Sequence, residues 1–300
     1  MLTIFATPKP FKGHIDIIQR NAIASWCRLA PACEVFLCGV DDMASVAKEF
    51  NVHHLPDVAV SQYGTPLLDS VFAEVRRHAS FPIVCYVNAD IMLLQDLIDA
   101  VRRVRLTDFL LVGQRWNVNL DRPWDFSHED WQVRLRHYLL EHGTQQPPVG
   151  SDYFIFPRDS AVGQIKPFVV GRPGWDNWLI YHARKIGVAV VDLSSVVQPI
   201  HQNHDYRHVP AGRDLTYEGP EADRNYQLID DMRRIFLLSD ATHVMTEKGI
   251  QRAWDREHLH RRWQSVATLH PILRPYVDGI DRIGNKVRSA LSKIWPCHEL

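Results

Sequence analysis

The sequence predicts an α/β protein in which helices flank a mixed, mostly parallel sheet, with a helical extension at the C-terminus. In the first half of the chain, short apolar runs alternate with stretches that carry apolar residues at helical spacing, as in successive βα units. Beyond about Pro220 the pattern is helical. The chain has 300 residues, of which 46% are hydrophobic and 23% charged, so it can bury a substantial core.

Apolar runs rich in β-forming residues predict five strands in the first half. They are Leu2 to Ala6, Glu34 to Cys38, Val52 to His54, Ile83 to Val87 and Phe109 to Val112. The intervening stretches predict helices at Ile15 to Leu29, Met43 to Phe50, Leu67 to His78 and Leu93 to Val104. This alternation predicts parallel strands whose carboxyl ends share one edge of the sheet.

The second half has a different pattern. It predicts a helix from Trp131 to His142, a strand from Tyr153 to Phe156, a helix from Trp175 to Lys185 and a strand from Val188 to Asp192. We find no internal repeat or long linker. We therefore expect one catalytic domain over residues 1–240 and a helical extension over residues 241–300.

Charge and cysteine content exclude several classes of protein. The 34 Lys and Arg residues balance 35 Asp and Glu residues, which argues against nucleic acid as a partner. The five cysteines include no C-x-x-C pair, so we expect neither a disulfide framework nor a zinc ribbon. The N-terminal segment lacks signal-peptide features and no window has the length of a transmembrane helix, so we expect a cytoplasmic protein.

The strongest motif is Tyr86-Val87-Asn88-Ala89-Asp90-Ile91, where an apolar strand ends in two oxygen-bearing side chains. Ligands bind outside the carboxyl ends of strands in open α/β sheets. Side chains one residue apart can face one hard cation, which keeps coordination positions for a diphosphate. Alternatively, Asn88 and Asp90 turn the chain and cap the next helix.

A second motif is the His-rich run that begins HQNHDY at His201. Imidazole suits a borderline cation such as Mn²⁺ in a mixed nitrogen and oxygen site. A single histidine is more often a satisfied structural residue, but His201 and His204 flank an amide in a loop after a predicted strand. Both histidines are therefore candidate metal ligands.

YVNADI resembles the D-x-D strand end of GT-A glycosyltransferases, a family of nucleotide-sugar-dependent enzymes. Further segments resemble bacterial and fungal nucleotide-diphospho-sugar transferases, and the resemblance extends from Leu2 to Asn225. These segments are TPKPF from Thr7, IQRNAIASW from Ile18, YGTPLLDSVF from Tyr63, GQRWNVNL from Gly113, SDYFIFPRD from Ser151, GRPGWDNWLIYHAR from Gly171 and HQNHDY from His201.

The resemblance implies a Rossmann-like GT-A fold and sugar transfer from a nucleotide-diphosphate donor to a glycan or lipid-linked acceptor, as in polysaccharide biosynthesis. It implies a Mn²⁺ or Mg²⁺ cofactor held by Asn88, Asp90 and a late histidine. By the same resemblance Thr7 and Thr65 line the nucleotide pocket beside Asn88 and Asp90. The motif departs from the family at Asn88, where Asp is usual, so the site has one negative charge fewer.

Four further residues are candidates near the donor and acceptor. Arg115 can stabilise charge on the leaving diphosphate or stack as a surface residue beside a tryptophan. Asp152, before a predicted strand, can reach the donor sugar or turn the chain. Trp175 and Trp178 can form an acceptor-sugar platform or anchor a helix in the core.

Asp176 lies between these two tryptophans in the sequence. Its carboxylate is the candidate base that accepts the proton of an attacking acceptor hydroxyl. Asp176 can equally be a residue of the first helical turn, where the helix dipole favours a negative charge.

The segment from Asp278 to Trp295 predicts an amphipathic basic helix. It can contact an anionic membrane surface at the inner face, or pack on its own domain.

Two other functions remain open on the sequence alone. One is a metal-dependent phosphoesterase that uses the same strand end and His-rich loop. The other is a non-catalytic nucleotide-sugar-binding module.

Overall fold

The computed structural model describes residues 2–39, 43–204, 217–280 and 282–283. The chain forms two compact units, Met1–Ala253 and Trp254–Leu300. The strands, in chain order, are β1 (Leu2–Ala6), β2 (Glu34–Cys38), β3 (His53–Leu55), β4 (Ile83–Val87), β5 (Ile91–Met92), β6 (Phe109–Val112), β7 (Trp116–Val118), β8 (Thr144–Gln145), β9 (Tyr153–Pro157), β10 (Ala189–Asp192), β11 (Ile200–Gln202), β12 (His243–Thr246) and β13 (Gly249–Arg252).

The main sheet of the first unit has the order β13-β12-β10-β6-β9-β4-β1-β2-β3 in the described residues. The pairs β1/β2, β1/β4, β2/β3, β6/β10 and β10/β12 are parallel. Strand β9 lies antiparallel between β4 and β6, and β13 is antiparallel to β12. The predicted α/β class, with a mixed and mostly parallel sheet, is confirmed.

Helices of the first unit connect these strands. They are α1 (Gly13–Trp26), α2 (Met43–Phe50), α3 (Leu68–His78), α4 (Gln95–Arg103), α5 (Trp131–His142), α6 (Trp175–Lys185) and α7 (Pro220–Ile229). Each of these helices buries apolar residues. In α4, Leu97, Ile98 and Ala100 are buried while Arg102 and Arg103 lie in the last turn, where cations favour the helix dipole.

The central strands have no exposed face. Every residue of β1 and β6 is buried, as are Val84 to Val87 of β4 and the first four residues of β9. Cys38 and Cys85 are buried small residues, as expected, and the cysteines among the described residues are all free. Since the strand backbones are rigidly packed, the polar residues that follow them occupy fixed positions at the sheet edge.

A second, smaller sheet has the order β5-β11-β7-β8 in the described part of the chain. Strand β5 follows Asp90 directly, and β11 pairs with it so that His201 lies opposite Ile91. The backbone N–H of Gln202 also donates to the Asp90 carbonyl at 3.2 Å. The small sheet therefore brings the His-rich segment to the end of β4, across more than a hundred residues of sequence.

The structure differs from the sequence prediction beyond α7. Residues from His243 to Arg252 form the β12/β13 hairpin, whose turn is Glu247-Lys248, and not a helix. The hairpin extends the main sheet through β10, so it belongs to the first unit, whereas the expected boundary at residue 240 would separate it. Cross-strand pairing overrides the weak local pattern here.

The second unit is helical where it is described. It contains α8 (Arg256–Leu269), which the Asp255 carboxylate caps by accepting from the N–H groups of Glu257 and His258. A 3-10 turn follows at Pro271–Leu273. Among the described residues, none of the helices is long and apolar enough to cross a membrane.

Candidate metal centre and active site

A tight turn after β4 carries the Asn88-Ala89-Asp90 motif. The N–H of Ile91 donates to the Asn88 carbonyl at 3.1 Å, and the N–H of Asn88 donates to the Asp152 carbonyl at 2.9 Å. Strand β4 pairs with β1 in parallel and with β9 antiparallel, with Val87 opposite Tyr153. The end of β4 therefore meets the start of β9, where Asp152 lies.

Asp90 faces two histidines. Its Oδ2 lies 3.1 Å from His204 Nε2 and 3.8 Å from His201 Nε2. One ligand atom from each of these three residues lies within 4.8 Å of the others, the only such set of His, Cys, Asp or Glu groups found in the described residues. All three side chains are at most 17% exposed. The structure thus assembles the two motifs that the sequence predicts as metal ligands.

The charges of this cluster stabilise an ionised carboxylate. Burial by itself raises the pKa of Asp90, but His201, His204 and Lys9 together hold that pKa well below its usual range. Burial lowers the pKa of His201, against the opposing effect of Asp90. Asp90 is therefore ionised and His201 neutral near pH 7, which is the protonation state that ligates a metal.

Two buried atoms of the cluster, Asp90 Oδ1 and His201 Nδ1, have no hydrogen-bond partner within the part of the chain that the structure describes. A buried acceptor without a partner is costly, and an ion or a water could satisfy it. One carboxylate with two imidazoles is a donor set that suits Mn²⁺ and is compatible with other divalent cations. The side chains of Asp90, His201 and His204 are therefore suited to coordinate a divalent cation.

Asn88 belongs to a neighbouring polar network. Its Nδ2 donates to Asp152 Oδ1 at 2.7 Å, and Arg115 Nη1 lies 2.8 Å from the same oxygen. Asn117 Oδ1 in turn accepts from Arg115 Nε at 3.0 Å, which orients the guanidinium. The structure therefore brings Asn88, Asp152 and Arg115 together beside the Asp90 cluster.

Asp176 lies in the first turn of α6, close to this network. Burial and the negative charge of Asp152 raise the pKa of Asp176 to about 6, while Arg115 and N–H groups of the helix start oppose the shift. A Cβ on Gly150 would lie 3.1 Å from Asp176 Oδ2, so the glycine makes room for the carboxylate. A carboxylate with a pKa near 6 can accept and release a proton at neutral pH.

Backbone geometry fixes where α6 begins. Gly174 has φ +89°, and a Cβ there would meet Ile229 at 2.5 Å, so only glycine fits. Asn177 then donates to the carbonyls of Val149 and Phe236 at 2.8 and 2.6 Å. These contacts hold Asp176 beside the loop that leads to Asp152.

The two predicted nucleotide-pocket threonines occupy separate positions. Thr7 follows β1, and its hydroxyl lies 3.4 Å from the Tyr86 hydroxyl. Thr65 lies in the turn that begins at Ser61, and its hydroxyl donates to Glu221 at 3.2 Å. Thr7 is thus placed at the carboxyl edge of the sheet, and Thr65 lies in a loop bonded to α7.

The predicted acceptor platform of Trp175 and Trp178 is not present as such, because both rings are buried at 5% and 4% exposure. Trp175 packs edge-on to Tyr86 with ring centroids 5.1 Å apart. Trp178 stacks on His182 at 4.9 Å. The rings anchor α6 to the core, which is the structural role that their sequence pattern also allows, and they offer no open face to a sugar.

The sequence patterns do not predict a role for three residues near the cluster, Lys9, Arg172 and Glu221. Burial lowers the pKa of Lys9, Asp90 raises it and Arg172 lowers it further, so the Lys9 ammonium lies within electrostatic range of both side chains. Arg172 Nη2 lies 2.7 Å from Glu221 Oε2. Lys9 and Arg172 stand within segments that resemble the transferase family, but no local pattern singles out Glu221.

Some predicted features lie outside the described residues. Asp205 and Tyr206 of the His-rich run belong to the undescribed range 205–216. Most of the basic amphipathic segment from Asp278 to Trp295 also lies outside the described range, as does Cys297.

No protein-family profile and no curated protein matches this sequence. Solved structures do show distant similarity. Glucosyl-3-phosphoglycerate synthase from Mycobacterium tuberculosis, in complex with Mn²⁺, UDP and phosphoglyceric acid, has 14% identity and a TM-score of 0.46, and the alignment covers 78% of each chain. Similarity of this degree does not assign a family or an activity.

Two further structures are similar to the same extent. S. aureus TarS in complex with UDP-GlcNAc has 12% identity and a TM-score of 0.48, over 91% of this chain and 72% of TarS. GalNAc-T7 with UDP, GalNAc and Mn²⁺ has 13% identity and a TM-score of 0.48, over 77% of this chain and 48% of that one. All three of these structures are complexes with UDP or a UDP-sugar.

Proposed function

We propose that this protein is a GT-A-type glycosyltransferase that moves a sugar from a nucleoside-diphosphate donor to a hydroxyl group of a glycan or lipid-linked acceptor. The observation that carries the proposal is the meeting of Asp90, His201 and His204 at the carboxyl end of β4. A second carboxylate network, centred on Asp152, adjoins this cluster. Such a transfer needs a cation that stabilises the leaving diphosphate and a group that accepts the proton of the attacking hydroxyl.

Asp90, His201 and His204 are the proposed ligands of Mn²⁺ or Mg²⁺, and the Asn88 amide oxygen can add a further one. When bound, the cation neutralises the charge that develops on the leaving diphosphate. The Asn88 Nδ2 group is already engaged with Asp152, which directs the amide oxygen to a different partner. Thr7 and Thr65 are the proposed contacts to the nucleotide part of the donor.

Arg115 and Asp152 are proposed to orient the donor. The Arg115 guanidinium keeps N–H donors beyond those used for Asp152 and Asn117, and these can stabilise negative charge on the leaving group. Asp152 Oδ1 is occupied by Asn88 and Arg115. Its other carboxylate oxygen can accept a hydrogen bond from a sugar hydroxyl.

Asp176 is the proposed base. In the transfer step, the acceptor oxygen forms a bond to the anomeric carbon, and the bond from that carbon to the diphosphate oxygen breaks. The hydroxyl proton passes to the Asp176 carboxylate. A pKa near 6 keeps Asp176 mostly ionised at pH 7 to 8, yet basic enough to take the proton as the hydroxyl becomes acidic.

Contact with an anionic membrane surface is proposed for the C-terminal unit. The sequence from Asp278 to Trp295 carries Arg282, Lys286, Arg288 and Lys293 among apolar residues at helical spacing. Such contact would bring the enzyme to a lipid-linked acceptor at the inner face of a membrane. Loss of vesicle binding on truncation after residue 277 would support it.

The proposed activity is tested by incubating the purified protein with a panel of nucleotide sugars and Mn²⁺, and by measuring release of nucleoside diphosphate. We expect release from one donor class, and loss of release in Asp90→Ala. Hydrolysis of phosphate esters without any reaction of nucleotide sugars would favour the metal-dependent phosphoesterase. Binding of a nucleotide sugar without turnover, with and without candidate acceptors, would favour a binding module.

A further inference from the structure

The loop after β1 places Lys9 beside the proposed metal site. Strands β1 and β4 are parallel, with Phe5 opposite Tyr86, so the residues that follow them leave the sheet side by side. Gln19, which is 2% exposed, holds the loop through two bonds to the Lys9 backbone, at 2.6 and 2.8 Å. The Lys9 ammonium itself has no hydrogen-bond partner among the residues that the structure describes. The Lys9 backbone is therefore held in place, while the Lys9 ammonium remains available to a ligand.

Arg172 is held in place by a buried carboxylate on α7. Glu221 is 7% exposed and receives the Arg172 Nη2 group at 2.7 Å. It also accepts from the Ser61 hydroxyl at 2.5 Å and from the Thr65 hydroxyl at 3.2 Å. One carboxylate thus ties the turn that contains Thr65 to the loop that contains Arg172. The guanidinium keeps further N–H donors, since it uses one group for Glu221 and a long contact of 3.4 Å to Gly171.

The positive charges of Lys9 and Arg172 are close enough to repel each other. Burial lowers the pKa of Lys9, Asp90 raises it and Arg172 lowers it again. Asp90 would be a ligand of the metal cation together with His201 and His204, and Glu221 already serves three donors, so neither carboxylate is reserved for the Lys9 side chain. Two half-buried cations that repel each other are stabilised when an anion lies between them.

We propose that Lys9 and Arg172 bind the diphosphate of the donor on the side of the Asp90 cluster nearest α7, with Glu221 as the positioning residue for Arg172. The inference rests on the proposed function, because it names the groups that would receive the donor's charged part. Arg suits a phosphate through its planar fork of N–H groups, and Lys suits it as a point charge. Thr65 donates to the same Glu221 carboxylate and is therefore held beside the phosphates.

The test is the affinity of the full chain for inorganic pyrophosphate in the presence of Mn²⁺, measured by calorimetry. Loss of one charge-assisted contact weakens binding by about tenfold or more, so we expect this effect in Lys9→Ala and in Arg172→Ala. Arg158→Ala is the matched control, because Arg158 follows β9 at the opposite edge of the sheet, where Pro157 pairs with Ile83. Its affinity should equal that of the wild type.

Arg172→Ala leaves the buried Glu221 carboxylate without its cation and can lower stability for that reason alone. The double variant Arg172→Ala/Glu221→Gln removes this unpaired charge. We expect it to recover melting temperature but to keep the weak pyrophosphate affinity. Recovery of the affinity as well would show that Arg172 acts only on stability and would overturn the proposal.

Pyrophosphate also separates this inference from the proposed activity. Unchanged affinity in both single variants, or no binding by the wild type, would overturn the anion site. Weakened binding in the variants of a protein that transfers no sugar would support the anion site while contradicting the glycosyltransferase. Glu221→Ala should raise the donor KM with little change in kcat, because it acts by releasing Arg172.

Discussion

The Asn88 Nδ2 group donates to Asp152 Oδ1 at 2.7 Å, so the amide of the metal-motif residue is also the partner of the second carboxylate. Arg115 contacts the same oxygen at 2.8 Å. An Asp at position 88 could not donate this bond when ionised. The departure of Asn88 from the usual motif of the transferases that this chain resembles therefore has a structural reason in the neighbouring network.

Asn88→Asp tests that reason. The variant places two carboxylates in contact, and loss of the hydrogen bond with added repulsion should lower the free energy of unfolding by about 1–3 kcal/mol. Chemical denaturation at pH 7.5 measures this change. The control is Asn88→Ala, which removes the bond without adding charge and should be less destabilising. A variant as stable as the wild type, with tighter Mn²⁺ binding, would show that Asn88 is simply a weaker metal ligand.

Asp176→Asn should lower kcat by about 10²-fold or more, because an amide cannot accept the acceptor's proton, and should leave the affinity for nucleoside diphosphate unchanged. The wild-type kcat should rise with pH through about 6, the pKa of Asp176, as the base loses its proton. Steady-state kinetics across pH 5 to 8 checks both. A variant that retains full turnover would reduce Asp176 to a residue of the α6 start.

Stability supplies an independent check on Asp176. A folded pKa of about 6 exceeds the unfolded value of about 4, so the carboxyl contributes stability that is fully present below pH 4 and is lost as pH rises through 6. Asparagine does not titrate. The melting temperature of Asp176→Asn, relative to that of the wild type, should therefore be higher at pH 8 than at pH 4. A constant difference across this range would contradict the raised pKa.

Trp178→Ala should destabilise the protein by about 3–5 kcal/mol, because the buried ring packs against Phe168 and His182. Trp178→Phe should cost less and leave the acceptor KM unchanged, since the ring is an anchor of α6. Urea denaturation and acceptor kinetics measure the two effects. A large change in acceptor KM without loss of stability would restore the sugar-platform role.

Long apolar runs allowed most of the fold to be predicted from the sequence. The predicted bounds of β1, β2, β4, β6, α2, α5 and α6 agree with the structure. The short strands β5, β7, β8 and β11 carry no comparable pattern, because pairing with distant partners defines them. The sequence pattern also does not predict the β12/β13 hairpin, whose strand β12 pairs with the distant strand β10, although Gly249 at φ +112° directly follows its turn.

The sequence likewise allows some residues of the candidate site to be predicted and not others. Asn88 and Asp90 follow the apolar strand β4, so their position at the sheet edge could be predicted, whereas His201 lies within the short strand β11. The contact between Asp90 and His204 depends on the pairing of β5 with β11, which the sequence does not display. Glu221 was not identifiable, since its partners Ser61 and Thr65 are 160 and 156 residues away in the chain.

Thermal shift with nucleotides and Mn²⁺ tests whether the end of β4 forms a metal-assisted donor site, because a ligand that binds the native state raises the melting temperature. Nucleoside diphosphates and nucleotide sugars are screened with and without Mn²⁺, in the wild type and in Asp90→Ala. We expect a Mn²⁺-dependent shift with one nucleotide in the wild type and none in the variant. No shift with any nucleotide, or an equal shift in Asp90→Ala, would contradict a metal-assisted donor site at the end of β4.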